Sequence, residues 1–329
     1  MEIVRCLLQA LILVITLGQV LTRPKYCRAP ELIKIMDREA FCNLDGQPHA
    51  ACGKKKWAGA CGTNMRIMRM TPVIRNLILR HHNTYRNIIA KGALHDLPGS
   101  DNMMRMHWDE DLGVIARQLV KQCTLQPTFK YINTKTIAQP GINTAFNKYR
   151  KKIEQSPIKI IKSQIKAWYD EYRYVTIDSL LSAKSPAGQE TAHFLNMMIG
   201  PSNAMGCAIS TYEPDDTWRT QLLICLYRCK KTKKSFTYSI GKPPAGKCEC
   251  GSDREFKNLC DSNERADTCE VFFKSKNATT DLELEPKPTT PEPISDETIT
   301  DLKSGLTKIR DFIRKLVLNG KKSFCRICG

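Results

Sequence analysis

The sequence predicts an α+β fold, and three observations carry that prediction. Apolar residues recur at helical spacing in three separate segments. Two short apolar runs of strand length follow them. The two kinds of element interleave without the regular strand–helix–strand repeat of a doubly wound sheet, so layered α+β packing is expected instead.

The first helix is read in "TPVIRNLILRHHNTYRNIIAKG". Thr71 is a fair N-cap, Pro72 suits the first helical position and Gly92 suits the stop. Val73, Ile74, Leu77, Ile78, His81, Tyr85, Ile88 and Ile89 fall on one side. A second helix starts at Asp109 and runs through "EDLGVIARQLVKQC", with Leu112, Ile115, Ala116, Leu119 and Cys123 on a shared face. A third starts near Ser156–Pro157, where Ile158, Ile161, Ile165, Trp168, Tyr169 and Tyr172 form the apolar stripe. The strands are expected at "GCAIS" (206–210) and "QLLICLYRC" (221–229), each carrying a cysteine.

Around this centre the composition changes. Residues 1–22 read as a secretory signal: Arg5 precedes the apolar stretch "LLQALILVITLG", which is too short to span a bilayer comfortably. No later stretch is apolar enough to span. Residues 23–70 are a cysteine-rich lead-in with Cys27, Cys42, Cys52 and Cys61, and 231–274 form a cysteine-containing extension. Setting Cys6 of the signal aside leaves 14 of the 15 cysteines, an even number, which in a secreted chain implies disulfides. Zinc binding by Cys248, Cys250, Cys260 and Cys269 is the weaker reading, because they do not form two C-x-x-C knuckles. Residues 275–294, "SKNATTDLELEPKPTTPEPI", read as a disordered linker, and Asn277 heads an Asn-Ala-Thr glycosylation acceptor. From 295 to 329 an amphipathic helical tail carries Ile299, Leu302, Leu306, Ile309, Ile313 and Leu316 on one face, and Lys303, Lys308, Arg310, Arg314 and Lys315 on the other. It would lie on an anionic membrane or a partner, dock on its own domain, or self-associate. Cys325 and Cys328 are read as a structural or intermolecular disulfide rather than a redox pair, since no thioredoxin-like context surrounds them.

The formal net charge of +18 favours acidic partners: an extracellular protein, a glycan or an anionic surface. Nucleic acid is not expected, because no Cys-His finger, helix-turn-helix or aromatic RNA-binding pattern stands out.

An ordered series of stretches resembles the CAP superfamily of cysteine-rich secretory, antigen 5 and pathogenesis-related proteins, and above all its insect antigen 5-like venom allergens. The series runs from Tyr26–Cys27 through "ILRHHNTYRNIIAKG", "MHWDEDLGVIARQLVKQC", "WYDEY", "AHFLNMMIG", "GCAIS" and "LLICLY", over residues 26–230. The resemblance implies an α-β-α sandwich at 71–230. It implies the disulfides Cys27–Cys52, Cys61–Cys123 and Cys207–Cys225, and leaves Cys42 to find a new partner or stay free. It also implies a cleft in which two histidines and two acids would hold a divalent metal. In this chain the first histidine position is Pro127, the first acid matches Gln139, the second acid matches Glu171 and the second histidine is His193. Zinc sites use three or four protein ligands, so this set implies no cofactor, or at most weak zinc binding. His193 is then a structural residue or cleft relic, or else a ligand. Glu171 borders the buried helix face or forms a solvated edge.

The expected function is a secreted, non-enzymatic binding module with a degenerate metal cleft. A metal-dependent hydrolase or a lipid- or sterol-binding protein is the alternative. No serine or cysteine nucleophile with its own base is visible.

Overall fold

The computed structural model describes residues 27, 38–53, 55–94, 96–232, 236–265 and 269. The signal segment, Asn277, the linker and the tail expected from the sequence lie outside them.

The described elements are α1 (Arg38–Cys42), β1 (Thr63–Ile67), α2 (Pro72–Lys91), β2 (His107–Trp108), α3 (Glu110–Leu119), β3 (Gly141–Arg150), α4 (Pro157–Asp170), α5 (Ile177–Ser182), α6 (Ala192–Met198), β4 (Ala204–Glu213) and β5 (Trp218–Tyr227). Helix ends follow local chemistry. The Thr71 hydroxyl accepts from the Ile74 N–H, Pro72 opens α2, and Gly92 closes it in the left-handed conformation at φ 70°. The Asp109 carboxylate accepts from the Leu112 N–H at the start of α3.

The sheet runs in the order β1-β4-β5-β3, with β2 added in parallel to β4. The long pairs β3–β5 and β4–β5 are antiparallel. Successive side chains of β5 point to opposite faces. Leu222, Ile224 and Leu226 therefore join Leu112, Ile115, Ala116 and Leu119 of α3 in one core. Leu223, Cys225 and Tyr227 join Ile78 and Ile89 of α2, Ile161, Ile165 and Trp168 of α4, and Phe194 and Leu195 of α6 in the other. A sheet covered on both faces explains why "LLICLY" is apolar without alternation. Close approach to α3 requires a glycine in β4: a Cβ on Gly206 would lie 2.2 Å from the Gly113 N and 2.6 Å from the Asp109 O. The layers are helix, sheet, helix.

Two expectations need correction. The buried stripe of α2 is not the one its apolar residues trace. Val73 is 75% exposed, whereas His82, Asn83 and Arg86 are buried with Ile78 and Ile89. Buried polar side chains are tolerated when backbone groups satisfy them. Asn83 exchanges two hydrogen bonds with the Met106 backbone, at 2.9 and 2.8 Å. Arg86 donates all five of its N–H groups to the carbonyls of Met104, Met197, Ile199 and Gly200 at 2.7–3.1 Å.

The second correction concerns the cysteines. Cys27 is bonded to Cys250 and not to Cys52, and Cys52 pairs with Cys42. The lead-in is thus tied to the extension, 223 residues away in sequence, and Cys42 has its partner ten residues on. The other bridges are Cys61–Cys123, Cys207–Cys225, Cys229–Cys269 and Cys248–Cys260. The extension cysteines are consumed as disulfides and hold residues 236–265 against the domain, with Tyr238, Leu259 and Cys260 buried.

Candidate functional site

Glu171 follows the last turn of α4, in a short 3-10 turn spanning Glu171–Tyr174. His193 is the second residue of α6. Packing of α6 against α4 brings them together: His193 Nδ1 lies 2.6 Å from Glu171 Oε1. The second carboxylate oxygen of Glu171 accepts the Phe194 N–H at 3.0 Å. The imidazole lies parallel to the Trp168 ring, with centroids 6.1 Å apart and 11° between planes. Both side chains are partly open to solvent, 28% for His193 and 13% for Glu171.

A third acid, which sequence reasoning passed over, joins them. Ligand atoms of Glu171, Glu190 and His193 lie within 4.8 Å of one another. Glu190 Oε1 also accepts the N–H groups of Thr191 and Ala192, at 3.2 and 2.9 Å, as α6 begins. A carboxylate just ahead of a helix start was the available signal, since it finds free N–H donors there. Gln139 is exposed, with its own N–H held by Asn133 Oδ1 at 2.8 Å, and is not among the hydrogen-bond partners of His193 or Glu171. It lines a neighbouring cavity with Ala192, Leu195 and Asn196 of α6.

Beneath the pair runs a buried polar chain. His82 Nδ1 lies 2.8 Å from the Ile78 carbonyl, which can only accept, so this nitrogen carries the proton. Nε2 is then the acceptor for the Tyr227 hydroxyl at 3.0 Å. Asn143 Nδ2 donates to the same hydroxyl at 3.3 Å and to the His193 carbonyl at 2.9 Å. Asn196 Nδ2 closes the chain on Asn143 Oδ1 at 3.1 Å. Burial is the main cause that pulls the His82 imidazole down to about 4, so it stays neutral at ordinary pH.

Of the four ligand positions that the resemblance implies, Pro127 and Gln139 supply neither a histidine nor a carboxylate, whereas Glu171, Glu190 and His193 are grouped closely enough to face one ion. Zinc sites take three or four protein ligands. Both oxygens of Glu171 are engaged, by an imidazole and a backbone N–H. Each of those oxygens keeps a second lone pair, and His193 Nε2 and the second oxygen of Glu190 add further donor atoms. Among the described residues, no hydroxyl or thiol is hydrogen-bonded to the His193 ring.

Comparison with known proteins follows the same lines. The profile described as "CAP: Cysteine-rich secretory protein family" matches residues 79–227. The antigen 5 like allergen Cul n 1 of Culicoides nubeculosus is 32% identical over 155 residues, covering 47% of this chain and 69% of that protein. Venom allergen-1 of Aedes albopictus is 27% identical over 222 residues, covering 66% and 84%. Scoloptoxin SSD976 of Scolopendra dehaani is 26% identical over 200 residues, covering 60% and 89%. Among solved structures, Na-ASP-1 aligns over 64% of this chain and 51% of that chain at 21% identity, with a TM-score of 0.48. With the two-sided sheet, the bonds at Cys61–Cys123 and Cys207–Cys225 and the similarity to the antigen 5 like allergen in view, the chain belongs to the cysteine-rich secretory protein, or CAP, family.

Proposed function

We propose that this protein is a secreted, non-enzymatic CAP-domain module that works by binding, and that its ancestral metal cleft is degenerate. The observation that carries the reading is the Glu171–His193 pair, in which each carboxylate oxygen already accepts a hydrogen bond from within the protein. Pro127 at the first histidine position and Gln139 at the first acid position support it. Relatives named as venom allergens and a scoloptoxin support an extracellular location, as do the six disulfides among the described residues. Among the described residues no helix is long and apolar enough to cross a membrane. A net charge of +18 favours an acidic extracellular protein, a glycan or an anionic surface as partner.

Calorimetric titration of the purified full chain with zinc tests the degenerate cleft. The expected result is no saturation in the micromolar range, together with no peptidase or esterase turnover that a chelator abolishes. Glu190 favours a second reading, weak divalent binding, because it adds a carboxylate to the pair. Tight one-to-one zinc binding lost in both His193→Ala and Glu190→Gln would establish that reading and displace the first.

A further inference from the structure

The cysteine-rich lead-in meets the end of α3 around a pocket of about 380 Å³. His49, Lys55 and Lys56 reach it from the lead-in, Gln118 and Gln122 from α3 and the turn after it, and Lys130 from the segment ahead of β3. No residue of α6 lines it, and neither Glu171 nor His193 does.

The charge of this pocket has one sign. Among the described residues three lysines line it, and no aspartate, glutamate or arginine does. Lys55, Lys56 and Lys130 are exposed, and among the described residues none of them belongs to a salt bridge. Elsewhere lysines find carboxylates, as Lys148 does with Asp215, Lys151 with Glu213 and Lys247 with Asp101. Lys121 adds a fourth ammonium at the rim, donating to the Lys55 carbonyl and to Gln118 Oε1, both at 3.0 Å. Like charges gathered on a concave surface repel one another and focus the field outward. Burial lowers the His49 pKa, and the charge of Lys55 adds to that lowering.

The fold holds these lysines together although nothing lining the pocket neutralises them. The disulfides Cys42–Cys52 and Cys61–Cys123 bracket the segment that carries Lys55 and Lys56. The Ala58 N–H donates to the Lys121 carbonyl at 3.0 Å. His49 Nε2 lies 2.7 Å from the Asn133 carbonyl and therefore carries the proton, while Nδ1 accepts the Ala51 N–H at 2.9 Å. On the Lys130 side, Gln122 accepts the Thr128 N–H and donates to the Thr128 carbonyl, both at 2.8 Å. Backbone braced in this way does not have to be ordered on binding, which lowers the cost of taking a ligand. A local conflict that the surrounding structure maintains points to a functional surface.

We propose that this pocket is the docking point of a sulfated glycan chain, whose sulfate groups sit at Lys55, Lys56 and Lys130. Charge complementarity selects a polyanion. The cation type narrows the choice. Planar, bidentate recognition of carboxylates favours arginine, whereas lysine acts as a point charge. An all-lysine site therefore suits sulfate groups spaced along a sugar chain better than the carboxylates of an acidic peptide. The proposal rests on the binding-module reading and deepens it by naming a surface and a class of partner.

The test titrates the purified full chain into a fluorescently labelled heparin-derived octasaccharide at several salt concentrations and reads anisotropy. Saturable binding is expected, with log affinity falling linearly against log salt as counterions are released from the polyanion. The triple variant Lys55→Gln/Lys56→Gln/Lys130→Gln is expected to weaken binding at least about tenfold. It should also flatten the salt slope by about two to three, close to one released ion per lysine. The triple variant Lys152→Gln/Lys159→Gln/Lys162→Gln removes as much exposed charge in and just before α4, and is expected to change affinity less than about twofold. The desulfated octasaccharide and polyglutamate should both bind at least about tenfold more weakly than the sulfated sugar. Equal weakening by the two triple variants would overturn the site and leave a glycan held by overall charge. Polyglutamate binding as tightly as the octasaccharide would overturn the choice of partner, as would displacement by inorganic sulfate at matching concentration. The zinc titration and turnover assays decide the binding-module reading separately: chelator-sensitive turnover beside intact, lysine-dependent octasaccharide binding would sink that reading and leave this site standing.

Discussion

Replacing Arg86 by lysine removes the most heavily bonded buried side chain of the domain while keeping its charge. The guanidinium is fully buried, and among the described residues its hydrogen-bond partners are four backbone carbonyls. Two of those carbonyls, Met197 and Ile199, belong to the end of α6, where helical carbonyls otherwise go unpaired. Arg86 thus anchors the helix that carries His193. Burial lowers its pKa to about 9, which leaves it charged at neutral pH. An ammonium offers three N–H donors from one atom, against five in a planar fork. At least two of the five hydrogen bonds must be lost, and each hydrogen bond to a charged group contributes about 1.5–3 kcal/mol net. The expected loss is therefore about 3–6 kcal/mol, a large share of the about 5–15 kcal/mol typical of a folded domain. Urea unfolding at neutral pH with disulfides intact measures it. Hydrogen exchange should show the protection loss centred on the amides that follow α6. A loss below about 1 kcal/mol would refute the argument, because it would mean that the four carbonyls find other donors at little cost.

Three further outcomes are expected. His82 has its pKa lowered to about 4 from an ordinary 6.5, so the unfolded chain takes up the proton first as pH falls. The stability tied to its neutral form is complete above the ordinary value and is lost as pH drops from 6.5 toward 4. At about 1.4 kcal/mol per unit this comes to about 3 kcal/mol, so urea unfolding of the wild type should lose about that much more than His82→Gln over this window. Peptide mapping without reduction should recover Cys27 joined to Cys250 and Cys42 joined to Cys52; a Cys27–Cys52 peptide would show the lead-in to be stapled differently. Gly206→Ala should destabilise the domain by about 1–3 kcal/mol, because its methyl group meets backbone of α3 rather than a side chain that can move. A thermal midpoint unchanged from wild type would mean that β4 and α3 have room to separate.

Helices α2, α3 and α4 were legible because their signals are local, whereas the short helices α1, α5 and α6 were not read. Thr71, Pro72 and Gly92 bound α2, Asp109 starts α3, and Ser156–Pro157 precede α4, all within a turn of the residues they affect. β4 and β5 were visible as dense apolar runs, although β4 is longer at both ends than 206–210 and β5 begins before 221 and stops before 229. β3 was passed over because its exposed half carries Asn147, Lys148 and Arg150, which give it no apolar run. The site was half legible. His193 and Glu171 stood out through the resemblance, whereas Glu190 reads in sequence as one more surface acid.

By itself, the sequence determined the α+β class, the starts of α2, α3 and α4, and the presence of a disulfide framework. Those follow from spacing of a few residues or from residue type alone. Only the tertiary structure decided which cysteines meet and why Arg86 is buried. The reason is physical: these features depend on groups from segments up to 223 residues apart arriving at one place. Chain connectivity does not encode such a meeting until the two cores have packed against the sheet.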